Sequence, residues 1–312
     1  MYWRFEKRNF AINLSGMKPA NMMKNICIAL TIFALFQNLS RADNIKIGSY
    51  NLLGSYPREA EFSETRAQMA SDLVHYRDFD VIGMQEAQFW QMEPMVQRGI
   101  YAKSGVNVCG ETPALKRRWS NIILYKKEKF TLLESGTFWL SDTPEEKSIA
   151  KEWGEKQYRN CNWVKLKDKN SGKEFYFFNT HFGLSPKARL NAAKLFVKKI
   201  KEIAGDSDFF CSGDFNTPSS EKATLSELTK SGYLRDSWAI SEIPPYGPKG
   251  TFICMLYNKR INNSKAVENP TLKIDYLFVS KAVKVLKCAA ISDNIGGAYA
   301  SDHLPIEAYV EF

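Results

Sequence analysis

Short apolar runs separated by polar turns recur along the chain after residue 43, and most have the length of a β-strand. The runs at 81–84 and 175–178 each stop abruptly at a polar residue. Apolar runs of this length between turn signals predict strands. The predicted strands cover residues 46–53, 81–85, 121–125, 130–140, 162–168, 174–179, 208–211, 271–279, 283–291 and 304–312.

Helical periodicity is present in two segments, where apolar side chains recur every three or four positions. The pattern over residues 62–76 is weaker than the pattern over residues 190–203. The second helix has Ser185 as its predicted N-cap, Pro186 at its first position and Gly205 as its stop.

Two shorter motifs predict a hairpin and a third helix. The Asn-Ser-Gly sequence at 170–172 is a turn signal between the strands at 162–168 and 174–179. The pair Thr217-Pro218 repeats the cap-and-proline pattern and predicts a short helix that ends near Lys230.

The order of these elements indicates an α/β protein with two mixed β-sheets packed face to face and helices outside. Helices are interspersed among strands of mixed order, which favours a layered sandwich. No linker, repeat or low-complexity segment interrupts residues 43–312, so we expect a single domain over that range.

Polar residues gather at the ends of the predicted strands. These clusters are Asn51, Gln85-Glu86, Asn179-Thr180-His181, Gly213-Asp214-Phe215-Asn216 and Ser301-Asp302-His303. Strand ends are where α/β proteins assemble sites, because the loops there converge on one crevice. Two histidines, several carboxylates and two amides at such a place predict metal-assisted hydrolysis of a phosphate ester.

Glu86 is the predicted main metal ligand, and Asn51 supplies a neutral oxygen beside it. Carboxylate and amide oxygens suit a hard cation such as Mg²⁺ or Mn²⁺. Taken alone, Glu86 could cap a helix and Asn51 could satisfy a turn. Asp214 and Asn216 are two residues apart and project to one side of an extended strand end, where the carboxylate can take a proton from water and the amide can fix that water.

His181 and His303 lie beside these groups and can stabilise negative charge on a phosphate. Asp275 is a polar residue in an apolar strand, and burying it alone would cost several kcal/mol, so it needs a partner. We expect Asp275 to pair with His303 and raise its pKa. Asp302 is then free to contact the metal or a water. The alternative for Asp275 is a solvent-facing position on an edge strand.

The first 42 residues predict a targeting leader. Lys24 precedes an apolar run at 26–36, and Ser-Arg-Ala at 40–42 is a small-x-small cleavage motif. Eleven apolar residues are too few to span a bilayer, which favours a cleaved signal peptide at 23–42 over an anchor. Residues 1–22 show no periodicity, and we hypothesise that translation starts at Met23. The predicted location is periplasmic, cell-surface or extracellular.

The net charge of +9 does not by itself indicate DNA binding. Six of the 43 basic residues and one of the 34 acidic residues lie in the first 42 positions, so the remainder carries only +4. That excess favours an anionic substrate weakly.

Five cysteines follow residue 43, and the absence of a Cys-x-x-Cys pair argues against a zinc site. Cys211 and Cys288 are predicted to pack in the core, whereas pairing of Cys109 with Cys161 stays open.

Taken in order, the clusters and Ile274-Asp275-Tyr276 resemble the motifs of the endonuclease/exonuclease/phosphatase superfamily, over residues 44–312. The resemblance implies a four-layer α/β sandwich and metal-dependent phosphoester hydrolysis in a secreted bacterial member. It leaves the substrate open, because relatives include deoxyribonucleases, deadenylases, inositol polyphosphate 5-phosphatases and neutral sphingomyelinases. It implies the same site residues, which are the metal ligands Asn51, Glu86 and Asp302 and the catalytic residues His181, Asp214, Asn216, Asp275 and His303.

One position departs from the pattern of many similar bacterial members. There, a second glutamate lies six residues before the tyrosine of a segment like Tyr-Lys-Lys at 125–127, and it helps to orient the first histidine. Here Trp119 occupies that place after a basic run at 116–118, and Glu111 is a candidate substitute. Such a cluster could stack a base or sugar or engage phosphate, or it could be a solvated loop with one anchoring tryptophan. The predicted substrate contacts are Arg118, Trp119, Arg159 and Asn162.

We therefore expect an exported hydrolase, dependent on Mg²⁺ or Mn²⁺, in which water attacks the phosphorus of a phosphate ester. The substrate could be a nucleic acid, a nucleotide, a sugar or inositol phosphate, or a phospholipid head group. We expect a monomer with no obligate protein partner.

A sphingomyelinase-type phospholipase C would use the apolar run at 252–257 for membrane docking, although a core strand explains that run better. A catalytically dead binding module would have lost ligands, whereas every metal and water-activating position is filled.

Overall fold

The computed structural model describes residues 44–54, 60–105, 108–109, 119–253, 270–295 and 298–312. The predicted leader, Glu111 and Arg118 lie outside these ranges, so the predictions for them stay open.

The described strands are β1 Asn44–Asn51, β2 Val81–Ala87, β3 Tyr101–Ser104, β4 Val108–Cys109, β5 Trp119–Lys126, β6 Phe130–Trp139, β7 Asn160–Asp168, β8 Glu174–His181, β9 Phe209–Asp214, β10 Arg235–Asp236, β11 Asp275–Val279, β12 Lys284–Ala290 and β13 Ile306–Glu311. The described α-helices are α1 Ala60–Arg77, α2 Phe89–Gln97, α3 Pro186–Ala204, α4 Lys222–Thr229 and α5 Ser237–Ile240, and a 3₁₀ turn covers Lys151–Trp153.

The described strands form two mixed sheets. The first has the order β12-β13-β1-β2-β5-β3, with β4 also paired to β5, and the second has the order β10-β11-β9-β8-β7-β6. The pairs β1–β2 and β8–β9 are parallel, whereas the other neighbours are antiparallel. The carboxyl ends of β1, β2, β8 and β9 carry the predicted site motifs.

The central strands are buried on both faces, which produces four layers. Val81 and Phe177 belong to the core between the sheets, whereas their neighbours Ile82 and Phe178 belong to cores on the outer faces. Consecutive strand residues face opposite ways, so each sheet has a second apolar face that a helix must cover. Helices α1 and α2 cover the first sheet, and α3 and α4 cover the second. The predicted sandwich fold is confirmed.

Local signals predicted one helix boundary well and another poorly. Helix α3 begins at Pro186, Ser185 Oγ accepts the Ala188 N–H at 3.1 Å, and the helix ends at Ala204 with Gly205 as its C-cap. The cap predicted at Thr217-Pro218 is wrong, because α4 begins only at Lys222. Thr217 Oγ1 instead donates to its near neighbour, the Phe215 carbonyl oxygen, at 2.6 Å.

The strand predicted at 271–279 is shorter in the structure, because β11 begins at Asp275. Before that point the chain pairs with residues 250–252, and the Leu272 carbonyl oxygen accepts the Thr251 N–H at 2.9 Å. Thr251 Oγ1 also accepts the N–H groups of Ile274 and Asp275, each at 3.2 Å, which draws this segment away from the sheet.

Cys161, Cys211 and Cys288 are free, buried thiols. Cys161 therefore does not pair with Cys109, and Cys211 and Cys288 pack in the core as predicted. None of the helices in the described part of the chain is both long and apolar enough to cross a membrane.

Buried amide groups join the two sheets directly beneath the strand ends. Gln85 Nε2 donates to Asn179 Oδ1 at 2.7 Å, and Asn179 Nδ2 donates to the Met84 carbonyl oxygen at 2.8 Å. Ser212 Oγ donates to the same Asn179 Oδ1 at 3.1 Å. This network, which we call the inter-sheet amide network, contains Gln85, Asn179 and Ser212. It passes over Gly83, where a Cβ atom would lie 2.0 Å from Ser212 Oγ.

We expect Gly83→Ala to lower the free energy of unfolding by about 3 kcal/mol, because the new methyl group overpacks the inter-sheet amide network. Gly232→Ala is the matched control: its Cβ atom meets nothing within 4 Å, so only its positive φ matters, at about 1 kcal/mol. Urea denaturation measures both values. Equal losses in the two variants would contradict a tight contact between the sheets at Gly83.

Candidate active site

A cavity of about 450 Å³ opens at the strand ends where the predicted site motifs meet. Eight predicted site residues line it, and these are Glu86, Trp119, Arg159, His181, Asp214, Asn216, Asp302 and His303. Asn51 and Asp275 contact members of this set, as described below. The structure therefore brings groups from both sheets into one place.

Asp214 is the central group of the site. Its Oδ2 atom accepts a hydrogen bond from Asn51 Nδ2 at 3.0 Å and lies 3.3 Å from His181 Nε2 and 3.7 Å from His303 Nε2. Its Oδ1 atom accepts the Asn216 N–H at 2.8 Å. Burial raises the pKa of Asp214 to about 7, although the charge of His303 lowers it and the charge of Asp275 raises it further. A carboxylate with such a pKa can accept and release a proton near neutral pH.

His303 and Asp275 form the predicted pair, with His303 Nδ1 2.9 Å from Asp275 Oδ2. Burial alone would lower the pKa of His303, but the charges of Asp275 and Asp214 outweigh it and hold that pKa well above its usual value. Thr251 Oγ1 donates to the same Asp275 oxygen and fixes the carboxylate. The imidazole of His303 is therefore positively charged at neutral pH. Because Asp275 is buried, the alternative of a solvent-facing edge position is excluded.

His181, unlike His303, is in its neutral form. Burial, followed by the charges of Arg159 and His303, holds the pKa of His181 well below its usual value. Its Nδ1 atom is buried and has no hydrogen-bond partner within the part of the chain that the structure describes. The imidazole is therefore neutral, and its Nε2 atom lies beside the Asp214 carboxylate.

Glu86 and Asp302 are the two other carboxylates that line the cavity. Glu86 is the next-to-last residue of β2 and lies at a β-bulge with a left-handed backbone, φ 53°. Its Oε2 atom accepts the Gly54 N–H at 2.9 Å. A non-glycine residue with positive φ is strained and is often held so at a functional site. Burial raises the pKa of Asp302, and the charge of Glu86 adds to that effect.

The oxygen atoms of Asn51, Glu86 and Asp302 fit a hard cation, because two carboxylates near one another and an amide are its preferred donors. A second group, Asp214, Asp275 and His303, has ligand-type atoms within 4.8 Å of one another and could also hold an ion. In that group, however, Asp275 Oδ2 and His303 Nδ1 already share a hydrogen bond. The oxygen-rich set is therefore the better fit to Mg²⁺.

Asn216 lines the cavity with its own backbone in the left-handed region, φ 48°. Its Nδ2 atom donates to the Phe182 carbonyl oxygen at 2.9 Å, which fixes the plane of the amide. Together with the bond from its N–H to Asp214, this contact ties the loops that follow β8 and β9.

The predicted substrate contacts divide into two groups. Trp119 and Arg159 line the cavity, and Trp119 packs in a small cluster with Trp139 and Tyr158. Asn162 does not line it: its Nδ2 atom donates to the Gly105 and Asn121 carbonyl oxygens at 3.0 and 2.6 Å, inside the protein. The prediction that Asn162 contacts a phosphate is therefore wrong, because both ends of its amide are engaged in the interior.

Arg66 is a supporting residue that the sequence analysis did not assign. This buried arginine on α1 donates to the carbonyl oxygens of Leu52 and Ala300 at 3.2 Å and of Leu53 at 3.1 Å. It thereby joins the loop after Asn51 to the loop before Asp302. The available signal was a charged residue on the apolar face of a helix, which requires buried partners.

Known proteins of one family share this fold. The family model described as "Endonuclease/Exonuclease/phosphatase family" matches residues 48–303. An endonuclease/exonuclease/phosphatase family protein from Bacteroides thetaiotaomicron is 28% identical, with a TM-score of 0.75 over 87% of this chain and 99% of that one. A mannosyl-6-phosphatase of Bacteroides thetaiotaomicron VPI-5482 is also 28% identical, with a TM-score of 0.73 over 86% of this chain and 100% of that one.

Among curated proteins, the uncharacterized protein L388 of Acanthamoeba polyphaga mimivirus is 26% identical over 254 residues, which is 78% of this chain and 90% of that protein. The family model matches most of the chain, and the two solved structures match this chain over almost their own full length. Together with the sandwich fold, these matches lead to one conclusion: the chain belongs to the endonuclease/exonuclease/phosphatase family and is a phosphoester hydrolase.

Proposed function

We propose that this protein hydrolyses a phosphate ester with Mg²⁺, through attack of a water molecule on phosphorus. The observation that carries the proposal is the position of Asp214 Oδ2, between Asn51 Nδ2 at 3.0 Å and His181 Nε2 at 3.3 Å. A buried carboxylate with a pKa of about 7 is suited to take the proton from the attacking water. The fixed amide of Asn216 then orients that water.

Glu86, Asp302 and Asn51 would hold the ion. The amide oxygen of Asn51 accepts the Leu53 N–H at 3.0 Å, and its second lone pair can still bind a cation. A cation would also offset the burial and the neighbouring charge that raise the pKa of Asp302. When bound, Mg²⁺ polarises the phosphoryl group and stabilises the charge that develops on its oxygens. Mn²⁺ accepts the same ligands.

The two histidines have different roles in this proposal. Charged His303, oriented by Asp275, stabilises the negative charge that grows on the phosphoryl oxygens. Neutral His181 contributes a hydrogen bond through Nε2 rather than a charge. Arg159, whose guanidinium is buried at the cavity wall, adds the second positive charge on the substrate side.

A sugar phosphate is the substrate class that we favour. The mannosyl-6-phosphatase is 28% identical, and the match covers all of its chain. A cavity of about 450 Å³ lies within the range of small-molecule sites. The predicted export is part of the same proposal, in which the enzyme releases phosphate from sugar esters outside the cytoplasm.

The structure gives less support to the membrane-active alternative. A sphingomyelinase-type enzyme would expose the apolar run at 252–257, but Ile253 is buried and Phe252 packs edge-on against His303 at 5.0 Å between ring centroids. Residues 254–257 lie outside the described ranges. The site also gives less support to a catalytically dead binding module, because the acid–base and carboxylate positions described above are all filled.

We expect Asp214→Asn to lower kcat for sugar phosphate hydrolysis by about a thousandfold, because the amide cannot take a proton from water. The exposed Asp206, in the turn after α3, provides the control variant Asp206→Asn, which should keep the wild-type rate. Rates are measured with saturating Mg²⁺, and circular dichroism checks folding. A folded Asp214→Asn enzyme with most of the wild-type activity would contradict the assigned role.

We expect Glu86→Gln to weaken Mg²⁺ binding by at least about tenfold, because it removes one of the charged donors. Isothermal titration calorimetry measures the affinity directly and does not depend on turnover. Glu64→Gln, at an exposed position on α1, should bind Mg²⁺ like the wild type. Unchanged affinity in Glu86→Gln would place the ion elsewhere, and the cluster of Asp214, Asp275 and His303 would become the leading candidate.

A further inference from the structure

Two arginines line the cavity among the described residues, and they differ in how their donors are used. Arg189 is fully engaged: its Nε atom donates to both Glu221 oxygens at 3.1 Å, and its other nitrogens contact Glu221 and the Leu184 carbonyl oxygen. Arg159 is similarly buried, yet its Nε and Nη1 atoms have no hydrogen-bond partner among the residues that the structure describes. Buried donors normally have partners, so Arg159 is poised for a ligand.

Glu155 is an acidic group that lies beside Arg159. Its Oε2 atom lies 3.7 Å from Arg159 Nε, and both side chains are more than nine-tenths buried. Charge-assisted bonds between arginine and carboxylate normally close to about 2.7–2.9 Å. At this longer distance the Glu155 carboxylate still offsets the positive charge of Arg159. It does not occupy the arginine N–H groups, which can bind an anion.

The place of Glu155 depends on the absence of a side chain at Gly183. A Cβ atom at Gly183 would lie only 1.8 Å from Glu155 Oε1 and 2.4 Å from its Cδ atom. The carboxylate thus fills the space of a missing side chain in the loop that follows His181. Any larger residue at this position would expel Glu155 from its site.

The segment that carries Glu155 is itself fixed to the same loop. The Glu155 N–H donates to the Ala150 carbonyl oxygen at 3.1 Å, which closes the turn around Lys151–Trp153. Ser185 Oγ donates to the Trp153 carbonyl oxygen at 2.9 Å. Glu155 is therefore held at a fixed position relative to His181 and the cavity.

We infer that Glu155 is a positioning residue that holds the Arg159 guanidinium ready to bind the phosphoryl oxygens of the substrate, in space that Gly183 leaves open. The inference rests on the proposed function, because it assigns Arg159 to the phosphate. The carboxylate acts from behind the arginine and does not touch the substrate.

A double-mutant cycle tests this inference through the affinity for inorganic phosphate, measured by calorimetry with Mg²⁺ present. We expect Arg159→Ala and Glu155→Ala each to weaken phosphate binding by about ten- to a hundredfold, the usual effect of losing a group that orients a ligand-binding side chain. The double variant should bind no more weakly than Arg159→Ala alone, because Glu155 acts only through Arg159. Gly183→Ala should reproduce Glu155→Ala.

The control is Glu152→Gln, which changes an exposed carboxylate in the same segment and should leave phosphate affinity unchanged. If Glu155→Ala does not fold, the isosteric Glu155→Gln takes its place in the cycle. Additive effects of Glu155 and Arg159, wild-type affinity in the Glu155 variant, or no phosphate binding by the wild type would each overturn the inference. A merely structural role of Glu155 would lower thermal stability without this coupling.

Ester hydrolysis, assayed in parallel, separates the two proposals. If the wild-type enzyme hydrolyses sugar phosphates but the cycle shows additive effects, the proposed function stands and the inference is overturned. If the wild-type protein hydrolyses no phosphate ester but shows coupled phosphate binding, the proposed function is overturned, and only the positioning of Arg159 by Glu155 for a bound phosphate stands.

Discussion

Hydrogen bonding between Gln85 and Asn179 is the constraint on which the site depends, because it joins the two sheets immediately beneath the catalytic strand ends. Gln85 precedes Glu86 in β2, and Asn179 lies two residues before His181 in β8. The contact therefore fixes how far the carboxylate of one sheet lies from the imidazole of the other. Both amides are completely buried, so a shift between the sheets would leave polar groups unsatisfied, at about 1–3 kcal/mol each. An apolar contact at this position would tolerate sliding far better.

Burial at this junction gives similar side chains different charge states. Asp214 loses its hydration and its pKa rises to about 7, whereas His303, despite its burial, has its pKa held well above its usual value by the charges of Asp275 and Asp214. His181 has no such carboxylate at Nδ1 and stays neutral. One proton acceptor, one cation and one neutral hydrogen-bonding group thus arise within a few ångströms. Hydrolysis of a phosphate ester requires this combination of proton transfer and charge stabilisation.

The sequence predicted the sandwich and most of the site, because strand ends in a layered fold must converge and polar residues there are hard to explain otherwise. It failed where tertiary contacts override local signals. Asn162 has the residue type of a phosphate ligand, but its amide bonds to interior carbonyl groups. The Thr217-Pro218 pair has a cap signature, yet Thr217 bonds back to Phe215. No sequence pattern indicated a role for Glu155, because that role depends on Gly183, which lies 28 positions away along the chain.

The most direct test of the account is hydrolysis by the purified protein, measured once with Mg²⁺ and once with EDTA. The panel contains a sugar phosphate, an inositol polyphosphate, single-stranded DNA, RNA, sphingomyelin and a chromogenic phosphodiester. The account predicts release of phosphate from the sugar ester that stops when the chelator is added and returns with excess Mg²⁺. Hydrolysis that continues unchanged in EDTA, or bound Mg²⁺ without turnover of any phosphate ester, would contradict it.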